Sequence, residues 1–242
     1  MDSSFAERLV AWQKKYGRNN LPWQKSHDPY VRWLAEIMLQ QTQVKTVIPY
    51  FDRFIERFPT VQDLAEAPEE EVMKLWAGLG YYSRARNLHK CAKEVQCRFN
   101  GSFPIELSDL ESLPGIGVST AAAIRSAATD EPCAILDGNV KRVLARHGMI
   151  GKGLTPRETE NLLWADARSK TPLKEGRTYA QAVMDLGATV CIRTKPLCAL
   201  CPVNQDCKAF QTDSQLEFPV KKVRAPVPEE ILNLAVYTDG NE

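Results

Sequence analysis

Four of the seven cysteines lie close together near the end of the chain, and they constrain the local fold more than any other feature. Their spacing is Cys191-x6-Cys198-x2-Cys201-x5-Cys207. Thiolate sulfur is a soft ligand, so one short loop with this spacing can wrap an iron–sulfur cluster or a tetrahedral zinc ion. A zinc ribbon would more usually have two Cys-x2-Cys pairs, and only one is present. Chemistry alone leaves the cluster and zinc equally open, and a disulfide pair fits less well.

The composition fits a soluble protein that works in a reducing compartment. A chain of 242 residues can bury a sizeable core and divide into two lobes. No apolar run reaches the length of a membrane span, and the N-terminus lacks a signal peptide pattern. We therefore expect no membrane partner and thiols available to metal, in the cytoplasm or nucleoid of a bacterium or in a eukaryotic nucleus or mitochondrion. The net charge is only +1, so contact with a nucleic acid would need a local basic patch.

Apolar residues recur at helical spacing almost throughout the chain, which predicts an all-α fold. Such repeats cover residues 5–16, 44–58, 72–76 and 88–99. Proline and glycine separate these segments, so we expect short helices joined by short loops.

A glycine-rich segment, residues 113–119 with the sequence LPGIGVS, lies between two helical stretches. Its proline ends the first helix, and its two glycines let the backbone approach a ligand closely. The next helix begins with free N–H groups, and these groups and the helix dipole both favour an anion such as phosphate. An ordinary glycine-rich helix connector is the alternative interpretation.

Two carboxylates are candidates for catalysis. Asp137 stands where a helix N-cap is expected, and capping alone would explain it. Glu36 shares one predicted helix face with Arg32, Gln40 and Gln43. An exposed polar stripe with an Arg32–Glu36 pair would explain that pattern without any function.

Three basic residues follow Asp137 on the helix that it opens, namely Lys141, Arg142 and Arg146. They fit either a solvated basic face or a local phosphate-binding patch.

Together these motifs resemble the endonuclease III and MutY family of helix-hairpin-helix DNA glycosylases. The cysteine spacing, the glycine-rich segment and residues 135–146 carry the resemblance, which extends from about Trp12 to Lys222. Residues 36–44, EIMLQQTQV, are similar to the MutY branch of the family. The resemblance implies an all-α, two-lobed fold. Residues 29–134 would form a six-helix barrel with the hairpin, and residues 1–28 and 135–222 would form an iron–sulfur lobe.

The resemblance also implies a reaction. The protein would be a monofunctional DNA glycosylase of base excision repair, hydrolysing the N-glycosidic bond of adenine mispaired with 8-oxoguanine or guanine. Glu36 would protonate the base, Asp137 would stabilise the cationic sugar, and Asn139 would orient Asp137 or the water. Ser119 stands where lyases of the family have a lysine, so water would complete the reaction.

The partner implied is double-stranded DNA that contains the mispair, bound by a monomer. Tyr81 would be a wedge beside the orphaned base, and the glutamines would enter the minor groove. The implied DNA-binding residues are Gln40, Gln41, Thr42, Tyr81, Leu113, Gly115, Gly117, Ser119 and Lys141. The implied ligands of a structural [4Fe–4S] cluster are Cys191, Cys198, Cys201 and Cys207.

Two other functions stay open at this point. One is an endonuclease III type pyrimidine glycosylase and lyase, and the other is a non-catalytic DNA-binding or iron–sulfur redox module.

The end of the chain has a different character. Residues 218–228 are basic and rich in proline, which predicts a linker, and residues 231–238 predict a β-strand. We expect residues 223–242 to be a linker and the start of an incomplete C-terminal domain. In the family such a domain helps to recognise 8-oxoguanine, so discrimination between 8-oxoguanine and guanine would be poor.

Overall fold

A computed structural model describes residues 4–220. This part of the chain consists of helices and loops without a β-strand, so the all-α prediction is confirmed for it. None of its helices is both long and apolar enough to cross a membrane. Residues 223–242 lie outside the described residues, and with them the predicted strand and part of the predicted linker, whereas Phe218 at the start of that linker is 2% exposed, so the linker prediction is wrong there. The α-helices are α1 (Phe5–Tyr16), α2 (Pro29–Leu39), α3 (Val44–Arg57), α4 (Val61–Glu66), α5 (Glu69–Trp76), α6 (Tyr82–Phe99), α7 (Leu107–Glu111), α8 (Val118–Thr129), α9 (Gly138–Gly148), α10 (Pro156–Lys170), α11 (Gly176–Asp185) and α12 (Lys208–Gln211).

Three shorter helical segments complete these elements. Pro22–Lys25 and Cys198–Leu200 are 3₁₀ turns, and Leu186–Val190 is a π-helical turn that continues α11.

Capping residues start several helices where the sequence favours a start. Asp28 accepts a hydrogen bond of 2.8 Å from the backbone N–H of Tyr30, and Pro29 follows it as the first residue of α2. Proline is favoured at this position because its missing N–H would have no helical partner. Helix α2, which carries Glu36, therefore has a fixed beginning.

The helices pack around two hydrophobic cores. The first core includes the fully buried side chains of Trp33, Phe54 and Trp76. The second core includes Leu144 and Leu186. Leu21 and Trp23 pack in the first core, and the lobe boundaries at residues 28 and 134 stay a prediction.

Helix α8 lies between the two cores. Ala121 and Ile124 belong to the first core, whereas Ala122 and Ala123 belong to the second. Small side chains let neighbouring helices approach closely, and α8 packs on both α2 and α11. This arrangement brings α2 and α11 to the two sides of one cavity.

Candidate active site

The cavity between the two cores is called here the interlobe cavity. Its walls come from α1, α2, α8, α11 and the turn Pro22–Lys25, and its volume is about 160 Å³. A protein cavity of roughly 150 Å³ admits a benzene ring, so this cavity has room for a flat aromatic ring. Trp23 contributes an aromatic surface. The polar side chains in the walls are Gln13, Asn19, Gln24, Arg32, Glu36, Arg177, Thr178 and Gln181.

Glu36 lies on α2 and lines the interlobe cavity. Burial raises its pKa to about 7, and the negative charge of Asp137 acts in the same direction. The positive charge of Arg32 opposes this rise. A carboxyl group with this pKa is partly protonated near neutral pH, so it can donate a proton to a bound base.

Asp137 is the N-cap of α9, as its position in the sequence indicates. Its Oδ1 accepts a hydrogen bond of 2.8 Å from the backbone N–H of Val140, and its Oδ2 accepts one of 3.3 Å from Asn139 Nδ2. Burial raises the pKa of Asp137, and these hydrogen bonds and the charge of Arg142 oppose the rise. Asp137 therefore has the capping role and a charge that acts on Glu36, although it is not among the residues that line the interlobe cavity.

Asn139 approaches the π-helical turn closely. A Cβ atom added to Gly187 would lie 2.6 Å from Asn139 Cβ, so only glycine fits at position 187. Asn139 Oδ1 accepts a hydrogen bond of 2.8 Å from Arg142 Nη2, which fixes the amide with its nitrogen toward Asp137.

The basic residues after Asp137 do not form a solvated face, so that interpretation is wrong for two of them. Arg142 donates to the carbonyls of Gly187 and Cys191 at 2.7 and 2.8 Å. Arg146 is 3% exposed and donates to several carbonyls of the cysteine segment. Hydrogen bonds from a guanidinium to backbone carbonyls are stronger in a buried site than in water. The sequence of α9 does not show where those carbonyls lie.

Lys141 is the third basic residue of α9. Its Nζ lies 2.7 Å from Glu160 Oε2 on α10, and both side chains are partly exposed. The predicted DNA contact of Lys141 would therefore compete with a surface ion pair that is weak in water.

Asp185 organises one wall of the interlobe cavity, and the sequence analysis missed this role. Its carboxylate is fully buried and accepts hydrogen bonds from Gln13, Arg18 and Gln181. The bond from Gln181 Nε2 is 2.7 Å long, which leaves Gln181 Oε1 as the free end of that amide. The sequence contains a signal for this role, since Asp185 stands between the apolar residues Met184 and Leu186, and a buried acidic residue needs partners.

The predicted helix face of Arg32, Glu36, Gln40 and Gln43 is wrong, because α2 ends at Leu39. Gln40 is the C-cap residue of α2 and Gln43 is the N-cap residue of α3. Arg32 is buried rather than exposed, and the described residues contain no Arg32–Glu36 ion pair within 4 Å.

Arg84 explains why α2 ends there. It is 8% exposed, and its Nη1 donates to the carbonyls of Ile37, Met38 and Gln40 at 2.6–3.0 Å. The last carbonyls of a helix lack hydrogen-bond partners within the helix and form the negative end of its dipole. A guanidinium supplies the missing donors and a positive charge. Sequence analysis missed this residue because its partners are backbone atoms of distant segments.

The same guanidinium holds the predicted DNA-contact loops together. Arg84 Nη2 donates to Thr42 Oγ1 at 3.0 Å and to the Gly80 carbonyl at 3.3 Å. Gln41 has a backbone φ of 58° and Tyr81 has 49°, both in the left-handed region that costs energy for a side chain. Tyr81 is 57% exposed, with the Arg84 guanidinium 5.3 Å from its ring centre.

We expect the substitution Arg84→Met to lower the free energy of unfolding by about 2–4 kcal/mol, because it leaves several carbonyls without donors. Urea denaturation measures this change. Arg86→Met is the matched control, since Arg86 is exposed on the same helix. Equal denaturation curves for the two variants would contradict the role of Arg84.

The glycine-rich segment joins α7 to α8. Gly115 has a φ of 81°, and its added Cβ would lie 3.2 Å from Asn87 Cβ. Gly115 and Gly117 are exposed, so their backbone is open to a ligand. Leu113 is 3% exposed in the first core, which leaves only its backbone for the predicted DNA contact.

Ser119 connects the hairpin to the Asp137 segment. Its Oγ accepts a hydrogen bond of 2.9 Å from the backbone N–H of Leu136. Ser119, a predicted DNA contact, is therefore hydrogen-bonded directly to Leu136, the residue that precedes Asp137.

The four clustered cysteines line a second cavity, together with apolar side chains and the polar side chains of Arg146, His147, Asn204 and Gln215. None of the four forms a disulfide bond. In residues 4–220, no group of three or more His, Cys, Asp or Glu side chains meets the spacing expected for a single metal ion. The thiols nevertheless fit a cubane cluster, because each thiolate of such a cluster binds a different iron and the sulfurs surround a volume. Arg146 Nη1 lies 3.4 Å from Cys191 Sγ and would offset thiolate charge.

Residues 34–168 match the sequence pattern of the HhH-GPD superfamily of base excision DNA repair proteins, and the chain belongs to this family. The predicted family resemblance is therefore confirmed.

Individual relatives are more specific. The chain is 44% identical over 218 residues to the adenine DNA glycosylase of Buchnera aphidicola subsp. Baizongia pistaciae, covering 90% of this chain and 62% of that enzyme. It is 32% identical to the thymine-DNA glycosylase of Aeropyrum pernix, covering 85% of this chain and 94% of that enzyme. A solved structure of a thermostable thymine-DNA glycosylase has a TM-score of 0.78 at 27% identity, covering 86% of this chain and 95% of that chain. The chain spans 62–65% of the length of the three Buchnera adenine DNA glycosylases that it matches.

Proposed function

We propose that the protein is a monofunctional DNA glycosylase that removes adenine mispaired with 8-oxoguanine or guanine and acts as a monomer in base excision repair. The observation that carries this proposal is Glu36, a proton donor with a pKa of about 7 in the wall of a ring-sized cavity. The adenine DNA glycosylases among the relatives support the choice of base.

The two carboxylates divide the work of breaking the N-glycosidic bond. The Glu36 carboxylic acid gives its proton to a ring nitrogen of the base, and the electron pair of the C–N bond then leaves with the base. The Asp137 carboxylate stabilises the cationic sugar that remains, as the second carboxylate does in glycoside hydrolysis. Asn139 holds the Asp137 carboxylate in place with its hydrogen bond of 3.3 Å. Water adds to the sugar, and the Glu36 carboxylate can accept the proton of that water.

The walls of the interlobe cavity favour a base that carries an exocyclic amine, as adenine does. Gln181 lines the cavity and donates its Nε2 to Asp185, so its Oε1 is left as an acceptor. An acceptor in this position suits the exocyclic amine of adenine and disfavours the carbonyl oxygen of guanine or thymine. Trp23 supplies a face on which a base can stack.

The DNA duplex would lie across the exposed loops. Gln40, Gln41, Thr42 and Tyr81 would enter the duplex where the adenine leaves it, since Arg84 ties their loops together. Phosphate would be bound in two ways. The hairpin would offer backbone N–H groups at Leu113, Gly115, Gly117 and Ser119, and α9 would offer the charge of Lys141.

Ser119 argues against lyase chemistry. A lyase needs an amine that forms an imine with the opened sugar, and a hydroxyl group cannot form one. The Ser119 hydroxyl instead accepts the Leu136 N–H, so it has a structural partner.

Excision from a panel of duplexes tests this function. Adenine should be released opposite 8-oxoguanine and opposite guanine, and the DNA strand should stay intact until alkali or heat is applied. The control duplexes carry A:T, T:G and an oxidised pyrimidine. Release of the oxidised pyrimidine with strand cleavage would indicate an endonuclease III type enzyme, and release of thymine from T:G would indicate the activity named for the Aeropyrum relative.

We also propose that Cys191, Cys198, Cys201 and Cys207 hold a structural [4Fe–4S] cluster. The cluster would fix the fold of the cysteine segment, whose carbonyls receive Arg142 and Arg146 from α9. It would also hold Arg193 and Lys195, which are exposed, near the DNA backbone.

Iron analysis tests the cluster. Purified protein should be brown and contain about four irons per chain, following the four-thiolate ligation of cubane clusters. Cys198→Ala should lose the colour and unfold the second core, because metal closes this loop. Cys97→Ala, on the exposed side of α6, is the matched control and should keep both. Colourless wild-type protein with stoichiometric zinc would contradict the assignment.

A further inference from the structure

Arg32 is a buried cation with few partners in the wall of the interlobe cavity. Its side chain is 5% exposed, and its one hydrogen bond in the described residues runs from Nη2 to the carbonyl of Gln24 at 3.2 Å. Its Nε is buried without a partner. A guanidinium has five N–H donors, so most of the donors of Arg32 are unused.

The other buried arginines show how unusual this is. Arg84 and Arg146 have similar burial, and each donates to backbone carbonyls from both Nη atoms, although the Nε of Arg84 also lacks a partner. Buried charges in proteins are normally paired in this way, because an unpaired one costs free energy. The fold therefore holds Arg32 in an unfavourable state next to Glu36, and such a cost is typical of a ligand-binding position.

Nothing that faces Arg32 removes this cost. Burial and the nearby charge of Arg177 lower the pKa of Arg32 to about 10, so it is still a cation at neutral pH. Glu36 follows one helical turn later on α2 and attracts Arg32 without forming an ion pair. The remaining polar neighbours in the cavity wall are uncharged, namely four side-chain amides and the hydroxyl of Thr178.

We propose that Arg32 is a base-recognition residue, whose free N–H donors bind a hydrogen-bond acceptor on the edge of the purine that Glu36 protonates. This proposal rests on the proposed function, and it adds a specificity-determining residue to the cavity. Arg32 provides N–H donors for a ring nitrogen, and Gln181 provides an acceptor for an exocyclic amine. The cavity walls therefore complement a purine that has both of these groups. A base without the acceptor would leave a buried cation unsatisfied, which is a strong means of rejection.

Arg32 would also assist the proton transfer. When Glu36 gives up its proton, a carboxylate is left one turn from the Arg32 cation. The charged groups that act on Glu36 are Asp137 on α9 and Arg32 on its own helix, with Arg177 on α11 beside Arg32. Removing Arg32 should therefore raise the pKa of Glu36 and move the alkaline limb of the pH–rate profile to higher pH.

The test compares wild type and Arg32→Met in single-turnover excision of adenine, 1-deazaadenine, 3-deazaadenine and 7-deazaadenine, each opposite guanine. Arg32→Met should be about 10–100-fold slower on adenine, which is the scale of one hydrogen bond to a charged group. Each analogue lacks one ring nitrogen, and one of them lacks the nitrogen that Arg32 binds. On that analogue the wild type should be slower by this same factor, whereas Arg32→Met should be no slower than it is on adenine. The thermal midpoint of Arg32→Met should not fall, since removing an unpaired buried charge is neutral or stabilising.

Two controls separate the possible outcomes. Arg53→Met removes an exposed arginine that packs on Tyr50 and should behave as wild type. If Arg32→Met does not fold, Arg32→Lys keeps the charge and should show a smaller loss with the same dependence on the analogue. An equal loss on all four bases together with a lower thermal midpoint would overturn the proposal and make Arg32 structural. Failure of wild type to release adenine would instead overturn the proposed function.

Discussion

Glu36→Gln is expected to slow the release of adenine by about 10²–10⁴-fold, the usual scale of general acid catalysis. Glutamine has nearly the shape of glutamate but no proton of suitable acidity, so the variant should still bind mismatched DNA. Single-turnover excision and equilibrium binding measure the two properties separately. Glu70→Gln, an exposed change on α5, is the control and should leave both unchanged.

The pH dependence gives a second measure of the same residue. Burial and Asp137 raise the pKa of Glu36 to about 7, and the acid form is the one that donates the proton. The wild-type rate should therefore be highest below this pKa and should fall as pH rises through about 7. The Glu36→Gln profile should lack this limb. A rate that is independent of pH between 6 and 8, or near-normal excision by Glu36→Gln, would remove Glu36 from the mechanism.

Helices were predictable because they follow from local patterns. The repeats of residues 44–58 and 88–99 match α3 and α6, and Asp137 caps α9 as its position suggests. The end of α2 was not predictable in this way. Arg84 ends that helix with bonds to its last carbonyls, and this contact joins residues more than forty positions apart.

The candidate site was predictable in its chemistry and less so in its support. Glu36 and Asp137 were predictable from the motifs that contain them. The structure adds that burial of Glu36 and the charge of Asp137 both raise the pKa of Glu36. The sequence analysis did not reveal that Asp185 holds Gln181 or that Arg32 is buried. Charged residues in a predicted helix are expected to be exposed, because most charged residues in proteins are. Only the packed structure shows which charges the fold buries.

The contacts of α9 also connect the cysteine segment to the Asp137 carboxylate. Arg142 donates to Asn139 and to the carbonyl of Cys191, and Asn139 donates to Asp137. A loop held by a cluster would therefore fix the position of Asp137 through two side chains. Loss of the loop should disturb catalysis as well as folding.

Asp137→Asn is expected to slow adenine release by about 10²–10³-fold, the scale seen when one group that stabilises developing charge is removed. Asparagine is as good an N-cap as aspartate, so it keeps the bond from Val140 and the start of α9. The loss would therefore measure the negative charge rather than the fold. Single-turnover excision at saturating enzyme is the measurement.

The matched control is Asp28→Asn at the N-cap of α2, where the carboxylate also accepts a backbone N–H at 2.8 Å but is not among the charges that act on Glu36. Asp28→Asn should retain wild-type excision. Asp137→Asn should also move the alkaline limb to lower pH, because the charge of Asp137 raises the pKa of Glu36. If Asp137→Asn and Asp28→Asn excise adenine at the same rate, then Asp137 serves only as a cap, and the cationic sugar must be stabilised by another group.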